Sequence, residues 1–195
     1  TSHAEVSAWL GWSRRRTLDV RVLTRARYEA EFGSGMAWNT GAFYRRDAIH
    51  VNGGARLDGW IAGALTHEIT HAFVDDLGTG WRLPAWLNEG LAVRLGMRTR
   101  GQLELTTTEV QQLEVALQQR QLVPLAQRGP LSRFGYLQSY AAVLFLEKKI
   151  GKDALLRLVR RTMERSTFEE ALDAELRWTQ KELEERFSYW VDHLQ

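Results

Sequence analysis

The sequence predicts an α+β fold, with a small N-terminal sheet packed on a central helix and an all-helical C-terminal half. Three observations lead there. Short alternating runs bounded by Gly are confined to the first third of the chain. From residue 60 onward the apolar residues recur at helical spacing. Helix punctuation, in the form of Gly78, Pro84, Gly151 and Thr179, divides that later part into segments of ordinary helix length. A chain of 195 residues suits a single domain, 1–195, with a sheet-plus-helix portion over 1–78 and a helical portion over 79–195.

In chain order, 2–12 is expected to be a short amphipathic helix through Val6, Trp9 and Leu10, and Arg14-Arg15-Arg16 a solvated turn. Leu18, Val20 and Val22 alternate along a strand over 17–23. A helix over 25–32 ends at Gly33-Ser34-Gly35. Strands over 37–44 and 48–51 pair around Arg45-Arg46-Asp47, and Gly53-Gly54 closes the unit. Helices are expected over 60–77 and 84–97, Pro84 fitting a first turn. Beyond them come helices over 108–121, 137–150, 153–163, 168–176 and 180–194, with a loop over 122–135 that contains Pro124, Gly129 and Pro130. Thr179 and Glu182 have capping-box spacing.

The chemistry concentrates in the helix 60–77, which reads His67-Glu68-x-x-His71. Residues four apart share a helix face, so the two imidazoles address one point, and Zn²⁺ accepts imidazole nitrogen readily. Glu68 lies about 100° round the helix, placed to flank a metal-activated water without being a ligand. Ile61, Leu65, Ile69, Ala72 and Phe73 form a separate apolar stripe for the core. The competing reading is two unconnected histidines on an amphipathic helix, and a third ligand would decide between them. Glu89, in Trp86-Leu87-Asn88-Glu89-Gly90-Leu91-Ala92, is the candidate: a carboxylate among apolar residues is costly unless paired or metal-bound. An antiparallel helix 84–97 would return it to the histidines; a solvated helical Glu is the alternative.

These two stretches together resemble the gluzincin metallopeptidases of the Peptidase MA superfamily, the thermolysin and zinc aminopeptidase relatives. The resemblance implies a zincin-like fold with His67, His71 and Glu89 as ligands of one catalytic Zn²⁺ and Glu68 as general base. It implies an oxyanion-stabilising Tyr, for which Tyr136 and Tyr140 both stand in a comparable place. It further implies a strand along the cleft that pairs with an extended substrate, here Ile49, His50, Val51 and Asn52. Asp75, one turn beyond His71, and Asn88, beside Glu89, are candidates to support the ligands from behind. The chain departs from the thermolysin-type pattern at Val93, where an Asp would stand, and it lacks the G-x-M-E-N stretch by which zinc aminopeptidases hold a free amine. An endopeptidase is therefore expected, acting on a peptide or protein substrate; the alternative is a domain that serves one dedicated partner or binds with little turnover.

Net charge is +2, which offers no electrostatic case for nucleic acid. Cysteine is absent, excluding disulfides and thiolate ligands. No apolar run reaches membrane-spanning length, so no membrane insertion is expected. The start at Thr1 rather than Met suggests that an upstream leader or domain has been removed, which leaves localisation open, an extracytoplasmic or secreted protein being one reading. Oligomeric state is not legible. Trp38, Trp81 and Trp86 could line a groove, although aromatics in such places are more often structural.

Overall fold

A computed structural model describes residues 2–34, 41–54, 58–78, 82–127, 129–164 and 167–194. Along them run α1 (Ser2–Leu10), β1 (Asp19–Leu23), α2 (Arg25–Phe32), β2 (Ala42–Arg45), β3 (Ala48–Asn52), α3 (Gly59–Leu77), α4 (Ala85–Thr99), α5 (Thr107–Gln118), α6 (Arg133–Ile150), α7 (Lys152–Glu164), α8 (Phe168–Leu176) and α9 (Gln180–Asp192). This is the expected α+β arrangement. The first part of the strand expected over 37–44, together with Trp38 and Trp81, lies outside the described residues. None of the described helices is long and apolar enough to cross a membrane. By compactness the chain divides into two units, residues 1–76 with 95–102 and residues 77–94 with 103–195.

In the first unit the three strands are ordered β1-β3-β2. β3 pairs parallel with β1, Asp19 opposite Ala48 through Leu23 opposite Asn52, and antiparallel with β2, Ala42 opposite Val51 through Arg45 opposite Ala48. The hairpin between β2 and β3 turns on Arg46 and Asp47, whose φ values of 52° and 61° are both left-handed, as the tightest hairpin loops require. Neither is the Asn or Gly that such a turn favours. The Asp47 carboxylate is instead tethered by Arg14 and by Arg16, the latter at 3.0 Å.

This order corrects one expectation. β3 is the central strand, bonded on both sides and buried at all five positions, so Ile49, His50, Val51 and Asn52 cannot accept a substrate strand through their main chain. An all-buried strand loses the polar alternation that marks an exposed face.

His50 has a structural place instead. Its ring stacks on Phe43 at 5.3 Å and meets Phe32 edge-on at 5.0 Å, beside Leu23 and Tyr28. Burial pushes its pKa below the ordinary 6.5, with Glu31 opposing and Arg21 and Arg45 assisting. A base whose folded pKa is depressed takes up a proton on unfolding as pH falls below its unfolded value, so stability is full above about 6.5 and declines below it. The thermal midpoint is therefore expected to drop between pH 7 and pH 5, and the drop should shrink in His50→Leu; a parallel pH profile in the variant would contradict this.

The helical second unit is built on caps and a buried central helix. Thr106 with Glu109, Thr167 with Glu170 and Thr179 with Glu182 each form a complete capping box at the starts of α5, α8 and α9. Helix α6 begins at Arg133, four residues before the expected start, because Ser132 caps it by accepting from the Gly135 N–H at 3.1 Å. Every residue from Gln138 to Leu146 is buried. Arg94 is buried too, donating to Glu147 at 2.8 Å and to the Leu103 carbonyl at 2.6 Å, which gives the charge the pairing that burial demands. Trp86 is core here, edge-on to Phe168 at 5.8 Å.

Candidate metal centre

Helix α3 presents His67 and His71 side by side, with Nε2 atoms 3.1 Å apart and ring centroids 4.8 Å apart. That proximity follows from the four-residue spacing. On the same helix Thr66 and Thr70 are both buried and return their hydroxyls to the carbonyl one turn earlier, at 2.9 and 2.8 Å. Thr99 at the end of α4 bonds Thr66 across the helix pair at 3.0 Å.

Two glycines bring these helices together. A methyl group on Gly96 would lie 2.8 Å from the Gly63 carbonyl oxygen and 3.6 Å from His67 Cβ, and one on Gly63 would meet Arg100 Cδ at 2.4 Å. Only Gly fits at such an approach. Positions 63, 66 and 67 thus meet 100, 99 and 96, an antiparallel run. Glu89 sits on α4 seven residues before Gly96, which is about 10 Å along the axis and on the same face.

Within the second unit, α4 is seated on α6 at Gly90, where a methyl group would fall 2.4 Å from the Ser139 carbonyl oxygen and 2.7 Å from Val143 Cγ2. The Gly of the Asn-Glu-Gly wording is therefore a packing requirement. Glu89 is half-buried and its Oε2 is shut off from solvent. One ligand atom from each of His67, His71 and Glu89 falls within 4.8 Å of the others, a group able to hold a metal ion. Two imidazole nitrogens and one carboxylate oxygen are the donor set that suits zinc with a position left for solvent.

Glu68 is held by a contact that no residue spacing signals: its Oε2 accepts from the Tyr44 main-chain N–H on β2 at 2.7 Å. The Tyr44 hydroxyl donates to Asp75 Oδ2 at 3.2 Å and approaches Asp47 Oδ1 at 3.3 Å. Burial first, and then the charges of Asp75 and Asp47, push the Tyr44 pKa up to about 12, so its proton stays in place at neutral pH.

The two tyrosines proposed for the oxyanion separate clearly. Tyr140 is 1% exposed, with its pKa raised to about 12 by burial and its side chain beside Arg94; it is a core residue and cannot touch a substrate. Tyr136, in the first turn of α6, is 39% exposed. The Asn88 N–H bonds the Pro84 carbonyl at 3.1 Å in the first turn of α4.

No curated protein and no solved structure matches this chain. A family model does, along nearly the whole length. The model for the Peptidase MA superfamily covers residues 26–193, from the start of α2 to the end of α9, and so takes in the paired histidines, Glu68 and Glu89. The chain belongs to the Peptidase MA superfamily, which makes it a peptidase-type enzyme at that level.

Proposed function

We propose that this protein hydrolyses peptide bonds as a zinc-dependent endopeptidase, with His67, His71 and Glu89 as the metal ligands. The observation that supports it most is the grouping of those three donors next to a carboxylate, Glu68, that is itself restrained. A bound Zn²⁺ would supply Lewis acidity at the substrate carbonyl and bring the pKa of an attacking water toward neutrality. Glu68 takes the proton from that water on the oxygen not engaged by Tyr44 and delivers it to the leaving amine. Tyr136 donates to the developing oxyanion. Asp75 and Asn88 support the ligands from behind.

β2 lies at an edge of the described sheet beside Glu68, with its Tyr44 N–H given to that carboxylate. The absence of a G-x-M-E-N stretch supports internal over N-terminal cleavage. A library of peptides blocked at both ends tests this: the zinc-loaded protein should cut at internal bonds, and cleavage of unblocked peptides alone would sink the endopeptidase reading.

A further inference from the structure

Tyr44 has more ties to the helix that carries the histidines than the mechanism above uses. Its N–H holds Glu68 at 2.7 Å and its hydroxyl holds Asp75 at 3.2 Å. Glu68 and Asp75 are seven residues apart, two turns on nearly one face, with His71 between them. The hydroxyl has a second carboxylate beside it. Asp47, which shares the Tyr44 hydroxyl at 3.3 Å, is ion-paired to Arg14, whose side chain is only 1% exposed, and to Arg16 at 3.0 Å. Arg16 also donates to the Asp75 carbonyl at 2.9 Å. One residue of an edge strand is therefore bonded to the same helix face at two levels and braced from behind.

We propose that Tyr44 is a positioning residue for the reaction, its main-chain N–H restraining one oxygen of Glu68 and its hydroxyl restraining Asp75, so that strand and helix face move as one piece. A free glutamate samples several rotamers; an oxygen fixed by a main-chain donor leaves the other oxygen as the proton acceptor at a defined place. The catalytic consequence rests on the peptidase reading, whereas the restraint itself does not. Two measurements keep these apart.

The first is kinetic. Zinc-loaded Tyr44→Phe keeps the ring and the N–H and loses the hydroxyl. Its kcat should fall about tenfold to a hundredfold, the scale of a small misplacement at the reacting centre, with KM within about twofold and zinc content unchanged. Asp75→Ala, which removes the acceptor, should show a similar fall, and the double variant no more than either alone, since both break the Tyr44–Asp75 bond. An unchanged kcat in Tyr44→Phe, or effects of the two substitutions that multiply, would overturn the proposal. The second uses the metal-free full chain and needs no activity. The Tyr44 amide should exchange slowly with solvent deuterium and exchange faster in Glu68→Ala, while the other β2 amides keep their wild-type rates; an unchanged Tyr44 rate would overturn the restraint on the base. Wild-type protein inert with zinc would count against the peptidase reading instead, and the exchange measurement would still decide whether Tyr44 holds Glu68.

Discussion

Glu68→Gln is expected to lower peptide turnover by about 10²–10⁴-fold, the range that a positioned acid–base group contributes, while zinc content and thermal midpoint stay close to wild type. The substitution suits the question because the amide oxygen of Gln can still accept the Tyr44 N–H that Glu68 accepts at 2.7 Å. Shape and restraint are preserved, and only basicity is lost. Residual turnover would report what metal polarisation and Tyr136 contribute unaided. The measurement is steady-state hydrolysis of an internally cleaved peptide alongside zinc analysis of the same sample. Turnover within a few-fold of wild type, with metal in place, would show that another group carries the proton.

Glu89→Gln should have the second largest effect, on the metal itself. The change removes a negative charge from a donor set that otherwise contributes only neutral imidazoles, His67 and His71. The zinc dissociation constant should rise by more than the roughly 10–100-fold that follows the loss of a supporting contact around a metal site. His71→Ala serves as the matched control, since it deletes a ligand from α3 and leaves α4 untouched. The readout is zinc retained against a graded chelator. Wild-type affinity in Glu89→Gln, with His71→Ala depleted, would remove Glu89 from the ligand set.

Much of this site was legible because the signal is local. A four-residue spacing on a helix needs no tertiary information to bring His67 and His71 together, and their Nε2 atoms lie 3.1 Å apart. Glu89 was legible at one remove, through a carboxylate set among apolar residues on a helix that turns back. The misses are of another kind. Alternation along a strand does not tell a central strand from an edge strand, so the sequence alone does not reveal that the two neighbours of β3 close it to a substrate. Tyr136 and Tyr140 share a helix face, and only packing against Arg94 and its surroundings buries one while the other stays 39% exposed. Tyr44 carried no motif; its role comes from a main-chain donor and a hydroxyl that meet α3 only once the chain is folded. The capping boxes at Thr106 and Thr167 were present in the sequence in the same spacing as the one at Thr179.

The most direct test of the whole account is the zinc-edge X-ray absorption spectrum of the full chain, loaded with zinc and dialysed to constant metal content. The expected result is one zinc per chain in a shell of two imidazole nitrogens and carboxylate and solvent oxygens at about 2.0–2.2 Å, with the imidazole signal reduced in His71→Ala. Sub-stoichiometric zinc, or a shell of oxygen alone that His71→Ala leaves unaltered, would contradict it.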